Sequence, residues 1–204
     1  MERAPQSEPV ERSHLVGPDL DPILVGSWTE VLERAAKEEG SRPFASFLKG
    51  GEVVEIYSFQ DVLAGACRYA AHLRSLDLEP GDRVVLSLPM SAEFLFAFFG
   101  VQLAGGVPVP FREIPPPREG QLDEQLSGLA LVTTDCAARF ILVPPETTDR
   151  VRHLPRVAAG TCTMVSVGDV GTAQLDRSAW ARPAPTDPAL IQYTSGPEIG
   201  RAHV

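Results

Sequence analysis

The chain has 204 residues, 44% hydrophobic and 22% charged, with 18 Lys and Arg against 27 Asp and Glu for a formal charge of −9. Such a composition suits an ordinary globular chain with one substantial α/β core, or one core and part of another. The acidic balance repels phosphate backbones and anionic bilayers and argues against nucleic acid as a partner, although backbone N–H groups in a loop can still hold one phosphate locally.

The three cysteines, Cys67, Cys136 and Cys162, are far apart and fit neither a CxxC pattern nor a disulfide framework. They read as small apolar residues in a reducing cytosol. Glu2 and Glu8, with no apolar stretch beside them, argue against a signal peptide. The longest apolar stretch, Phe94 to Val101, is too short to span a bilayer, so the expected location is the cytoplasm.

In chain order, residues 1–26 read as a flexible leader without periodicity. Ser27-Trp28-Thr29-Glu30 is a capping box that starts a helix with Val31, Leu32, Ala35 and Ala36 on its apolar face and Gly40 at its end. Trp28 and, further on, Tyr69 read as packing residues. Phe44 to Leu48 and Val53 to Tyr57 read as strands of a hairpin turned by Gly50-Gly51. Ser58 and Asp61 then open a second helix, whose stripe Phe59, Val62, Ala66, Tyr69, Leu73 and Leu76 recurs at steps of three and four. Arg83 to Leu88 is a strand, and Ser91 caps a helix from Ala92 to about Ala104 that is apolar nearly all round, as a deeply buried helix is. Val107 to Phe111 is a short strand limited by Pro108 and Pro110, and Pro115-Pro116-Pro117 an extended surface crossing. A helix from Gln121 to about Thr134, a strand at Arg139 to Val143, a short helix near Asp149 to Leu154 and a strand at Thr163 to Val167 follow. A loose stretch leads to a last strand, Ala189 to Tyr193, ending in Thr194-Ser195-Gly196. The alternation predicts an α/β fold, a parallel or mixed sheet layered with helices on both faces.

A strand that ends in two hydroxyl side chains and a glycine can cradle a phosphate, because side-chain donors and a close-approaching backbone converge on one anion. Strand-to-loop turns also use Thr, Ser and Gly for purely conformational reasons. The order of elements adds to that reading. Leu78-Glu79-Pro80-Gly81-Asp82-Arg83-Val84, Ala92-Glu93-Phe94, Leu103-Ala104-Gly105-Gly106-Val107-Pro108-Val109-Pro110 and Ile191-Gln192-Tyr193-Thr194-Ser195-Gly196 together resemble the adenylate-forming superfamily of acyl-CoA synthetases, adenylation domains and luciferases. The resemblance runs from about Ser27 to Gly196. Leu190 to Gly196 and the proline run after Phe111 are most similar to fatty-acyl-AMP ligases and fatty-acyl-CoA synthetases.

The resemblance implies a partial large N-terminal domain over residues 27–196 and a two-step reaction. A carboxylate, fatty or other, attacks the α-phosphate of Mg-ATP to give acyl-AMP, and the acyl group then passes to a thiol of CoA or of the phosphopantetheine arm of an acyl carrier protein. Thr194, Ser195 and Gly196 would begin the phosphate loop. The Mg²⁺-binding acidic residue and the catalytic lysine of the family lie beyond what this chain contains, so no catalytic or metal-ligating residue is assigned within it.

The family loop continues to a Pro-Lys-Gly, whereas this chain ends Pro197-Glu198-Ile199-Gly200-Arg201-Ala202-His203-Val204. Glu198 would set an anion beside the phosphates. Glu198 to Val204 back-translates as GAG ATC GGA AGA GCA CAC GTC, which resembles a short-read sequencing adapter, so residues 197–204 are expected to be a non-native tail. The alternative is a naturally truncated, non-catalytic relative that binds a partner. Among other candidates, His14, His72, His153 and His203 lack partners at ligand spacing. Ser195 has no nucleophile elbow around it. Phe94, Phe96, Phe98 and Phe99 read as core rather than as an acyl tunnel, and Arg150, Arg152 and Arg156 as a solvated face.

Overall fold

Ser27 starts the first helix, α1 (Trp28–Glu38), by accepting the Glu30 N–H on its hydroxyl oxygen at 3.2 Å. The Glu30 carboxylate takes the N–H of Gly26 at 2.8 Å, so the reciprocal bond of the expected box reaches one residue further back than the cap. Thr29, Leu32 and Ala36 face the core, while Val31 and Trp28 do not; Trp28 is 54% exposed, against the expectation that it packs. The computed structural model describes residues 26–114 and 124–193. The leader before Gly26, the proline crossing, the expected helix start at Gln121, Thr194-Ser195-Gly196 and the tail at 197–204 lie outside the described residues.

The strands β1 (Pro43–Lys49) and β2 (Glu52–Ser58) pair antiparallel in a sheet of their own. Gly50 and Gly51, at φ 62° and 89°, make the turn between them in the region that side chains disfavour. Phe47 and Tyr57 meet edge to face on the inner side, and Tyr57 repeats that contact with Phe96.

Helix α2 (Phe59–Ser75) opens with a complete capping box between Ser58 and Asp61, and Val62, Ala66, Tyr69 and Leu73 of its stripe are fully buried. They pack on α3 (Ala92–Leu103), capped by Ser91. The two backbones come close because Gly100 has no side chain: a Cβ there would lie 2.5 Å from Tyr69 Cβ and 2.8 Å from the Ala66 carbonyl oxygen. The Tyr69 hydroxyl donates to Glu93 and ties the same two helices.

The main sheet contains β3 (Arg83–Ser87), β4 (Val107–Phe111), β5 (Phe140–Val143) and β6 (Thr163–Ser166), all parallel in the order β4-β3-β5-β6. From β3 the chain steps one way to β4 through α3. It then returns across β3 to β5 through α4 (Glu124–Asp135), and continues to β6 through the short helices α5 (Thr148–Val151) and α6 (Pro155–Ala158). Because crossovers are right-handed, that reversal places α3 on one face and α4 to α6 on the other. Alternate strand residues feed two cores: Val84, Leu86, Phe140, Leu142 and Val165 toward α2 and α3, and Val85, Val109, Ile141 and Val143 toward α4. The expected α/β layering with helices on both faces is therefore present, with a purely parallel main sheet.

The expected last strand at Ala189 to Tyr193 does not form. The run lies along the outer edge of β4 and makes one backbone bond to it, from the Ile191 N–H to the Pro108 carbonyl at 3.0 Å. Val107 turns its N–H inward to Asp82 at 2.8 Å, so Pro108 and Pro110 face the run, and neither has an N–H to give.

Two stability measurements follow. Gly100→Ala forces the α2–α3 contact apart and should lower stability by about 1–3 kcal/mol in chemical denaturation. Asp61→Ala should cost about 0.5–1 kcal/mol at neutral pH through loss of the box. The Ser58 hydroxyl and backbone N–H hold the Asp61 carboxyl below its ordinary range. The contribution is thus full above the ordinary carboxylate range and lost as pH falls through the lowered value, so the two proteins should converge in acid.

Candidate active site

In a doubly wound parallel sheet, ligands sit outside the carboxyl ends of the strands, where loops from both faces converge. At the carboxyl ends of β3 and β4 the described residues form a cleft of about 370 Å³, walled by Leu88, Pro89, Met90, Phe94, Phe111, Arg112, Glu113 and Tyr193. The Ser87 hydroxyl donates to the Arg112 carbonyl at 3.1 Å and locks the two strand exits together. The Arg112 guanidinium lies 6.0 Å from the centre of the Phe111 ring. Phe94 reaches the cleft, whereas Phe96 and Phe99 are buried in the core and Phe98 packs against it, as expected of most of that aromatic set. A larger groove of about 810 Å³, between α1, the end of α3 and residues 181–189, opens at the amino ends of the strands. Its size does not outweigh its position, because the loops that vary with chemistry are at the other end.

The run 189–193 travels in the direction of β4 and delivers Tyr193 to the cleft. The Tyr193 hydroxyl donates to the Asp135 carboxylate at 2.5 Å, at the end of α4. Burial, with that carboxylate beside it, pushes the Tyr193 hydroxyl well above its ordinary value, so the phenol stays protonated and remains a donor. At the other end of the run the Gln102 side-chain amide donates to the Ala189 carbonyl at 3.0 Å. Before that, Glu33 on α1 pairs with both Arg177 and Arg182. None of these anchors was singled out from sequence. Gln102 offered a faint signal as a lone amide at the end of an otherwise apolar helix.

Thr194, Ser195 and Gly196 follow Tyr193 directly in the sequence but lie outside the described residues. The described wall carries one cation, Arg112, one carboxylate, Glu113, and much apolar surface, including the exposed Met90, and is not itself a phosphate cradle. Among the described residues no group of three His, Cys, Asp or Glu side chains could hold a metal ion. Burial raises all three thiols, Cys67 and Cys162 to about 11, so they stay protonated and act as core residues. The expected solvated face at Arg150, Arg152 and Arg156 holds for Arg152, which pairs with Asp149 at the surface. It fails for Arg156, whose guanidinium donates to the carbonyls of Ala138 and Thr161 because the turn before β6 wraps it.

Residues 32–197 match the AMP-binding enzyme family. Similar curated proteins include a long-chain-fatty-acid–CoA ligase of Yersinia pestis, 32% identical over 60% of this chain and 21% of the relative. Another is a 4-hydroxyphenylalkanoate adenylyltransferase of Mycobacterium marinum, 29% identical over 83% of this chain and 28% of the relative. Among solved structures, one from a study of fatty acyl-adenylate ligases of E. coli and L. pneumophila superimposes with a TM-score of 0.72 at 29% identity, over 84% of this chain and 30% of that one. The fold is shared too with an L. pneumophila fatty acyl-adenylate ligase solved with acyl adenylate and pyrophosphate, with a TM-score of 0.67 at 22% identity, over 83% of this chain and 28% of that one. The chain thus spans between a fifth and a third of the length of these relatives, and it belongs to the AMP-binding enzyme family of acyl-adenylate-forming ligases.

Proposed function

We propose that this chain forms the first part of an ATP-dependent ligase that activates a carboxylic acid, a fatty acid foremost, as its acyl-AMP. The observation that carries the reading is that the family match runs through residue 197 and so includes Thr194-Ser195-Gly196. The run that leads into those residues heads for the carboxyl edge of the sheet, which supports their role as the start of a phosphate loop. In the reaction a carboxylate oxygen attacks the α-phosphorus of ATP, the bond to the β-phosphate oxygen breaks, and pyrophosphate leaves. The residues of this chain position anions and meet charge as it moves onto the leaving group. Mg²⁺ would arrive with the ATP phosphates and offset their charge. The acyl group then passes to the thiol of CoA or of a carrier protein, in the cytoplasm. The fatty-acid assignment draws on the names of the fatty-acyl ligases among the relatives.

In this reading residues 27–196 are a partial catalytic domain and residues 197–204 are not native. A long DNA read across the codons for Tyr193 to Val204 should show a frame that continues through further Ser, Thr and Gly codons to Pro-Lys-Gly. A native stop after Val204 would instead favour the non-catalytic partner-binding module. The purified 204-residue chain is expected to release no pyrophosphate with ATP and fatty acid, whereas the continuous gene product should. In that longer protein Thr194→Val and Ser195→Ala should each raise half-saturation for ATP by about tenfold, as loss of one charge-assisted donor does. Unchanged ATP dependence in both variants would remove these residues from the phosphate site.

A further inference from the structure

In a parallel ladder, a residue facing its neighbour strand makes two bonds: its carbonyl accepts from one residue of the partner, and its N–H donates to the carbonyl two positions earlier. Pro108 faces the run 189–193 and makes the first bond, accepting from the Ile191 N–H at 3.0 Å. The second would run from residue 108 to the Ala189 carbonyl, and proline has no hydrogen to supply it. The donor that stands there is the Gln102 side chain, 3.0 Å from that carbonyl, on a residue only 8% exposed.

We propose that Gln102 is a positioning residue that replaces the missing N–H of Pro108 and so fixes the register in which the run enters Thr194-Ser195-Gly196. Pro110 lacks the next outward donor as well, so the ladder itself cannot correct a slip. A one-residue slip moves the run by about 3.3 Å and turns every side chain to the opposite face. Tyr193 would then lose Asp135. The amide at Gln102 and the prolines of β4 form one device: the prolines keep other strands from pairing along this edge, and the glutamine admits this run in one register. The consequence for ATP rests on the acyl-adenylating reading; the register itself does not.

The test pairs Gln102→Met, which keeps the length and volume of the side chain but removes the donor, with Gln102→Met/Pro108→Val, which returns an N–H to β4. In the 204-residue chain, amide hydrogen exchange at Ile191 should quicken by about fivefold in the single variant, the equivalent of one net hydrogen bond. It should return toward the original rate in the double variant. Exchange unchanged in Gln102→Met, or quickened without recovery in the double variant, overturns the proposal, since packing alone would not be repaired by a backbone N–H. In the continuous ligase, half-saturation for ATP should rise several-fold in Gln102→Met, with little change in kcat, and recover in the double variant. An ATP response that stays unchanged while Ile191 protection falls overturns the positioning role. If the unaltered ligase shows no ATP-dependent activity, the proposed function fails and the exchange data still decide the register.

Discussion

A parallel strand can be reached only by a crossover, and a right-handed crossover sets the face on which the intervening helix lies. The rest of this structure depends on that constraint, applied at the point where the chain leaves β4, crosses back over β3 and lays down β5. One reversal gives the sheet helices on both faces and splits the core in two, with Val84 and Leu86 on one side of β3 and Val85 on the other. It also makes β3 interior and β4 the edge, and it gathers the exits of both strands at the carboxyl end. The cleft therefore results from strand order rather than from any particular side chain in its wall.

The edge position of β4 would ordinarily be a liability, because an open row of N–H and C=O groups recruits other strands. Pro108 and Pro110 remove the donors from that row while leaving the inner ladder to β3 intact. What covers the edge is a run held mostly by side chains, at Ala189 by Gln102 and at Tyr193 by Asp135. The loop before it is held by Glu33 through Arg177 and Arg182. The stretch that ends at Tyr193 is thus fastened to three helices, α1, α3 and α4, and only lightly to the sheet. Its position follows how those helices pack.

Local features were legible in the sequence because their causes are local. The Ser58–Asp61 box, the Gly50-Gly51 turn and the stripe from Val62 to Leu73 need only residues a few positions apart, and each stands where the pattern placed it. The alternation of elements was enough for the layered α/β fold. Features that failed depend on partners distant in the chain. The apolar composition of residues 189–193 reads as a strand, but whether Pro108 turns toward or away from it is a matter of parity that only the pairing of Val107 with Asp82 decides. Trp28 reads as packing until the groove beside it leaves the ring exposed, and Arg156 reads as solvated until the turn before β6 closes around it. The expected phosphate loop at Thr194-Ser195-Gly196 lies outside the described residues, and the anchors of the run before it were not legible, since nothing near Gln102 or Asp135 in sequence announces a partner 87 or 58 residues away.

Net charge and the proposed site chemistry pull in opposite directions in this molecule. A chain of formal charge −9 is a poor long-range attractor for ATP or a carboxylate. In the proposed ligase, recognition of either is short-range, by oriented donors, and such donors lose their value when misplaced by an ångström. An acidic protein with polyanionic ligands therefore needs rigidity in the segment that carries its donors more than it needs cations around them. On the proposed reading, that requirement accounts for a buried amide, a phenol kept protonated and a carboxylate bridging two arginines, all set along one short path that ends at Tyr193.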